Sequence, residues 1–321
     1  MNRQFVIEGL LLTAIGSIGI LGNIGAIFHF GTSKYRQHRF YSLMLALAVV
    51  DTLVIISFIW FSSVPEFLGT KKHIHYWSIW LYPMLHIFCT GNIFLTAAIS
   101  HDRYLAICKP LSYHISPRPI KVTLMAIFVA SILYNIPIFF ELEWKGTIKD
   151  ERNGSEIIYE FGAWPTELRI DYLYVEIYVL WCNMTIQGII PVLILIGLNI
   201  SIVKEMRRFR QYVMGTDKDD EHWRKNQLKF ANINLVIVIV FIVCYSFRNI
   251  LSAYELYYRY TIGISIAKWP HKTMFYMLSE ISHLMVVLNS CISFYVYLFK
   301  RFLNDKVSYI QDDDTLNIEM S

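Results

Sequence analysis

WSIWLYPMLHIFCTGNIFLTAAISHDRYLAICKP, residues 77–110, decides the fold. From 77 to 100 there is no Asp, Glu, Lys or Arg. Such a block is long enough to cross a hydrocarbon core, which takes about 20 apolar residues. At its end an acid and a base, Asp102 and Arg103, stand side by side. Charge is scarce here, so a charged pair at a membrane boundary asks for a function.

Six further blocks share this character. They lie at 9–30, 41–64, 122–140, 177–203, 230–254 and 273–299, and the third span extends over 77–104. The only charges inside them are Asp51, Arg248 and Glu280. In lipid every backbone polar group must be satisfied within the segment, so each block reads as a helix. The alternation of a membrane β-barrel is absent. Residues 1–300 therefore form one all-α domain, a seven-transmembrane helix bundle, and 301–321 a short tail. The composition of the 321 residues agrees: 55% are hydrophobic and 17% charged, below the charge of a soluble domain. A net charge of +4 is too mild and too scattered for a nucleic-acid partner.

Lys and Arg set the orientation. Eighteen lie after the odd-numbered spans and ten on the other side. This places the N-terminus outside and the tail in the cytoplasm of a multi-pass plasma-membrane protein. A cleaved signal peptide is the alternative for the first block, but its basic cluster follows the block and Glu8 heads it. Between spans four and five, residues 141–171 carry eight acids against four bases and the sequon Asn153-Gly154-Ser155, a glycosylation site if outside. It is either a solvated face or an electrostatic funnel for a cationic ligand. Asn183-Met184-Thr185 fits the sequon but falls inside a span. The five cysteines have no C-x-x-C spacing, so they read as free thiols, with no disulfide and no metal site.

Polar residues inside spans are costly and mark function. Asp51 lies midway along span two, and Asn23, Asn92, Asn289, Ser290 and Ser293 can meet it. Oxygen ligands from several helices suit Na⁺, while a protonated carboxyl in a hydrogen-bond knot is the plainer reading. Toward the outer ends, Glu66, Arg248, Glu255, Glu280 and His283 suggest a polar cup, with Tyr82, His86, Gln187 and Tyr245 along its floor and walls.

Taken together, these residues resemble the rhodopsin-like (class A) G-protein-coupled receptors. The resemblance rests on Gly22-Asn23, LALAVVD ending at Asp51, DRYLAICKP from Asp102, and Pro191 in span five. It implies that Asp102, Arg103 and Tyr104 form the switch at the cytoplasmic end of helix three. Asn199 and Tyr297 then stand at activation positions, and Gln227 stands where some relatives place an acid facing Arg103. Finer matches resemble the invertebrate FMRFamide-receptor-like neuropeptide receptors: CYSFRNILSAYE (244–255), YNIPIFFE (134–141), EGLLLTAIGSIGILGN (8–23) and NSCISFYVY (289–297). The resemblance implies an extracellular peptide ligand, an amidated and arginine-bearing one drawn to the acidic loop and to Glu280 or Glu255. It also implies a heterotrimeric G protein, with membrane lipid around the bundle. MRRFRQ (206–211) and HWRKNQLK (222–229) read as basic helical extensions that meet the G protein or anionic lipid, and KRFLNDK (300–306) as a short helix along the membrane.

The chain also departs from the family. Most relatives join helix three to the second outer loop by a disulfide, but here Ser78 stands at about the helix-three position and the loop has no cysteine. The loop must be held by packing or be mobile. A divergent receptor for a non-peptide ligand is an alternative. A transporter would need a repeat or a continuous polar path, a retinal protein a lysine within span seven, and an enzyme a catalytic motif; none of these is found.

Overall fold

In the computed structural model, the structure describes residues 4–32, 39–68, 72–115, 119–150, 157–212, 218–261 and 271–319. Among the described residues, seven helices are long and apolar enough to span a bilayer. They are α1 (Phe5–Gly31), α2 (Arg39–Phe67), α3 (Lys72–Cys108), α4 (Ile120–Phe140), α5 (Tyr172–Arg208), α6 (Lys218–Thr261) and α7 (Lys272–Glu319). One-turn pieces such as Pro110–Ile115 connect them. The loop between α4 and α5 adds an antiparallel hairpin of β1 (Leu142–Asp150) and β2 (Ile157–Pro165), in register from Leu142↔Pro165 to Asp150↔Ile157. The blocks of apolar sequence did not announce these two strands.

Three of the prolines lie at or just after places where helical geometry changes, although Pro83 sits inside an unbroken α3. A proline has no N–H for the carbonyl one turn back, and the freed turn widens or tightens. Residues Val175–Ile189 form a π-helical stretch just before Pro191. The shorter wide turn Ile59–Ser63 precedes Pro65, and Ile136–Phe140 tightens into a 3₁₀ turn around Pro137. By contrast α7 runs unbroken through residue 319. KRFLNDK therefore continues the seventh helix rather than turning along the membrane, since no Gly or Pro interrupts 273–319 and Phe294 stands where relatives carry proline.

The bundle packs by layers. At the Arg103 end Phe40, Leu43, Leu47, Leu95, Ile99 and Ile237 are buried together. Midway, α1, α2 and α7 share Leu12, Ile55, Val287 and Cys291, while Ile93, Leu195, Phe241 and Tyr245 join α3, α5 and α6. The helix α4 is the reverse of a soluble helix. Over Ile120–Asn135 it buries only Ser131 and Asn135, and turns Val122, Met125, Phe128 and Leu133 outward. Lipid is as apolar as a core, so polar contacts decide which face turns inward.

Close approach of α1 to its neighbours depends on small residues. A Cβ at Gly19 would collide with Cys291 and press on Ile55, and one at Gly22 would collide with Tyr295. The contact α1–α7 is then clasped by Asn23 Nδ2 donating to the Ser290 carbonyl (3.0 Å) and Tyr295 OH donating to the Ile18 carbonyl (2.7 Å). Gly19→Val is expected to cost about 1–3 kcal/mol by overpacking and to lower the melting temperature of the detergent-purified protein by several degrees. Cys291→Ala should recover part of the loss. An unchanged melting curve for Gly19→Val would refute this packing.

Candidate functional site

At one end of the bundle the Asp102–Arg103 pair is sealed from solvent, with Asp102 2% and Arg103 1% exposed. Arg103 Nη2 donates to Asp102 Oδ2 at 2.5 Å, and Arg39 Nε donates to Asp102 Oδ1 at 2.9 Å. Arg103 Nη1 reaches across to α6 and donates to Gln227 Oε1 at 2.7 Å. The guanidinium also lies over the rings of Phe40 (4.7 Å) and Phe230 (5.4 Å). A buried guanidinium is held only when its surroundings supply charge and acceptors, and here α2, α3 and α6 each give one part. Tyr104 stays half-buried with Lys109 Nζ 5.8 Å above its ring. The nearby Tyr113 phenol is pushed up from its ordinary value, first by burial and then by the Asp102 carboxylate; it stays neutral there.

One turn deeper, polar groups bridge α3, α6 and α5. Ser100 Oγ donates to Asn234 Oδ1 (3.2 Å), and Asn234 Nδ2 donates to Asn199 Oδ1 (3.2 Å). Asn199 also bonds back to the Leu195 carbonyl at 2.8 Å.

In mid-bundle Asp51 is fully buried. Asn92 donates to its Oδ1, and Asn289 Nδ2 donates to Asn92 Oδ1 at 3.3 Å. Ser290 and Ser293 approach the same carboxylate from α7. Among the described residues, three buried oxygens in this region, Asp51 Oδ2, Asn23 Oδ1 and Ser290 Oγ, have no hydrogen-bond partner. Such oxygens are costly to bury unmatched, and a small hard cation is the species their chemistry suits.

At the hairpin end a cavity of about 540 Å³ opens between the helices. Tyr82, His86, Gln187, Tyr245, Arg248, Glu255 and His283, all expected in the cup, line it. Glu66 and Glu280 are not among its lining residues: Glu66 is half-buried elsewhere on α2, and Glu280 is buried in the packing of α7. Helical phase explains Glu280. Its neighbours Ser279, Ser282, His283 and Val286 point into the cavity, which turns position 280 to a different face. The lining charges are mostly matched. Glu8 meets His283 Nδ1 at 3.1 Å, and Glu255 accepts from Arg259 at 2.8 and 3.0 Å.

A cluster of charged and hydroxyl groups anchors the hairpin over this cavity where relatives use a disulfide. Glu141, at the foot of β1, is 2% exposed and pairs with Arg169 Nε at 3.1 Å. Tyr174 OH donates to its other oxygen at 2.7 Å. The Glu141 carbonyl accepts from the Thr166 amide (2.9 Å), and Thr166 Oγ1 donates to the Phe140 carbonyl (2.7 Å). Tyr82 of α3 lies in electrostatic range of both Glu141 and Arg169. Among the described residues all five cysteines are free.

Sequence reasoning missed Arg39, Phe40, Phe230 and Asn234 at one end and Glu141 and Arg169 at the other. Helical phase offers a signal for Asn234, which sits seven residues from Gln227 on one face of α6. The ties to Arg39 and Arg169 come from distant segments and leave no local mark. Asn153 lies outside the described residues, as does the side chain of Tyr297.

Comparison with known proteins bears on this arrangement. The family described as 7 transmembrane receptor (rhodopsin family) matches residues 22–297. An FMRFamide receptor of Drosophila melanogaster is 27% identical over 316 residues, 94% of this chain and 54% of the relative. The FMRFamide peptide receptor frpr-18 of Caenorhabditis elegans is 22% identical over 307 residues, 92% of this chain and 66% of the relative. A Gq-coupled rhodopsin of Mizuhopecten yessoensis is 26% identical over 254 residues, 75% and 48%. The chain spans about half the length of the first two of these curated relatives taken in order of similarity. With its seven spanning helices and a family match over most of its length, the chain belongs to the rhodopsin family of seven-transmembrane receptors, a family of receptors and not of enzymes.

Proposed function

We propose that this multi-pass plasma-membrane protein is a receptor for an extracellular peptide of the FMRFamide type that signals through a heterotrimeric G protein. One observation carries the reading. A cavity stands open at the hairpin end, while the opposite end is closed by an arginine that three helices hold. The excess of Lys and Arg beside the Arg103 end puts that end in the cytoplasm. The acidic loop then faces outside and raises the local concentration of a cationic peptide.

In the closed arrangement Arg103 bonds to Gln227 of α6. A ligand that binds an α6-displaced state more tightly shifts the population toward it. Arg103 then exchanges Gln227 for an acceptor on the G protein. The amide of Gln227 is a weaker partner than a carboxylate, because charge-assisted hydrogen bonds are about twice as strong as neutral ones. The latch is correspondingly soft. Mid-bundle, Asp51 Oδ2 and Ser290 Oγ would hold Na⁺, favouring the closed bundle by neutralising the carboxylate.

Three outcomes test this. Arg103→Ala should abolish second-messenger output in cells while surface level is kept; a full response from Arg103→Ala would end the switch mechanism. Gln227→Glu should tighten the latch and lower basal output several-fold, the range a charge-for-neutral exchange of about 1 kcal/mol allows, whereas Gln227→Leu should raise it. Equal basal output in both variants would show that α6 is not held through Gln227. Peptide affinity should fall as Na⁺ replaces a large organic cation in the medium, and Asp51→Asn should remove the dependence; a parent receptor indifferent to Na⁺ would dismiss the cation.

A further inference from the structure

Among the charged side chains lining the cavity, Arg248 stands apart. Glu8 is matched by His283, Glu255 by Arg259, and Arg169 by Glu141. Among the described residues Arg248 has no carboxylate partner. His86 and Cys89 of α3, Tyr134 of α4 and Tyr245 of its own helix lie within electrostatic reach of it. None of them is an acid that would be ionised beside it. Among the described residues, Arg248 is thus a guanidinium in the cavity wall with no carboxylate beside it.

Two buried polar atoms in the cavity wall are also unmatched: Tyr245 OH and Gln187 Oε1. Tyr245 and Arg248 are three residues apart on α6 and so share a face. The orientation of the Gln187 amide follows from its neighbours. Thr90 Oγ1 donates to the His86 carbonyl at 2.9 Å, which uses its single proton. It can therefore only accept from Gln187 Nε2 (3.2 Å) and from Asn135 Nδ2 (2.9 Å). Gln187 must present its amide nitrogen to Thr90, and its oxygen is left over. The inner wall thus offers surplus donors, from a guanidinium and a phenol, and one surplus acceptor.

Resting on the peptide-receptor reading, we propose that the peptide enters carboxyl end first and that Arg248 receives its terminal carbonyl. The carbonyl is the acceptor that the guanidinium and the Tyr245 hydroxyl lack. A primary amide also carries N–H donors for Gln187 Oε1, which a free carboxylate does not, so the amidated form fits the full set of leftover atoms. This assignment differs from the expectation that Glu255 or Glu280 grips an arginine of the ligand: Glu255 is already held by Arg259, and Glu280 does not reach the cavity. The ligand's cationic side chain then stays near the mouth, under the acidic loop.

The test uses three probes on cells expressing the full chain: Phe-Met-Arg-Phe-amide, its free acid, and an analogue ending in phenethylamine, which has no terminal carbonyl. With the parent receptor, the analogue should be about 100-fold weaker than the amide, the size of effect seen when one partner of a buried charged hydrogen bond is removed. The acid should fall between them; an acid stronger than the amide would give the pocket to a carboxylate and overturn the part assigned to Gln187. Arg248→Gln, checked for surface level, should weaken the amide about 100-fold and leave the analogue within a few-fold, with Arg248→Lys intermediate. If the analogue matches the amide, or Arg248→Gln weakens both alike, the Arg248 assignment fails while the peptide reading survives. If a surface-expressed parent answers none of the three, both fall together.

Discussion

Inside a hydrocarbon slab no backbone amide can turn to water, and every departure from internal hydrogen bonding costs several kcal/mol. That constraint gives the seven helices. It also governs the side chains, because a polar group buried among spans can be satisfied only by another span. The pattern recurs along the whole bundle. Thr90 of α3 gathers donors from α4 and α5, Asn23 of α1 reaches the Ser290 carbonyl of α7, and the Ser100–Asn234–Asn199 chain ties α3 to α6 and α5. Individually such bonds average less than about 1 kcal/mol in membranes. Their importance is positional: they fix the rotation of each helix where apolar packing against lipid would not.

The same logic divides the molecule into two ends with different polar economies. At the Arg103 end the Asp102–Arg103 pair is buried and matched by groups on other helices, so the end is closed and its partners are exchangeable. At the hairpin end several charges line open volume, and among the described residues Arg248 stands there with no carboxylate beside it. On the proposed receptor reading, a ligand that satisfies the leftover groups at one end would shift the helix that the matched groups at the other end depend on, since Arg248 and Gln227 lie on the same continuous helix. No chain of side chains between them is required; a rigid α6 carries the displacement.

How much of this the sequence disclosed follows from the range of each interaction. The seven spans were legible because a block of twenty apolar residues is a local signal. The switch was legible because Asp102 and Arg103 are neighbours in the chain, and Asp51 because a lone acid in an apolar block is conspicuous. Glu280 looked equally conspicuous and yet does not reach the cavity, because composition gives depth along a helix but not its rotation. Arg39, Phe230 and Arg169 were illegible for the complementary reason: each sits in a boundary segment where polar or aromatic residues are ordinary, and its role comes from a partner 60 or more residues away or across a loop.

The absent disulfide illustrates how one physical requirement admits two chemistries. A cover over the cavity must be tied to the bundle, or the entropy of a loose loop opposes ligand binding. A disulfide would do this through one covalent bond to α3. Here Glu141 collects Arg169 and Tyr174 with Tyr82 beside them, so the feet of β1 and β2 and the start of α5 converge near α3. A noncovalent tie of this kind differs in one respect: it is reversible on the timescale of binding. Arg169 also lines the cavity. The group that holds the cover therefore touches the space the ligand fills, and a ligand that engages Arg169 competes directly with Glu141 for the same guanidinium.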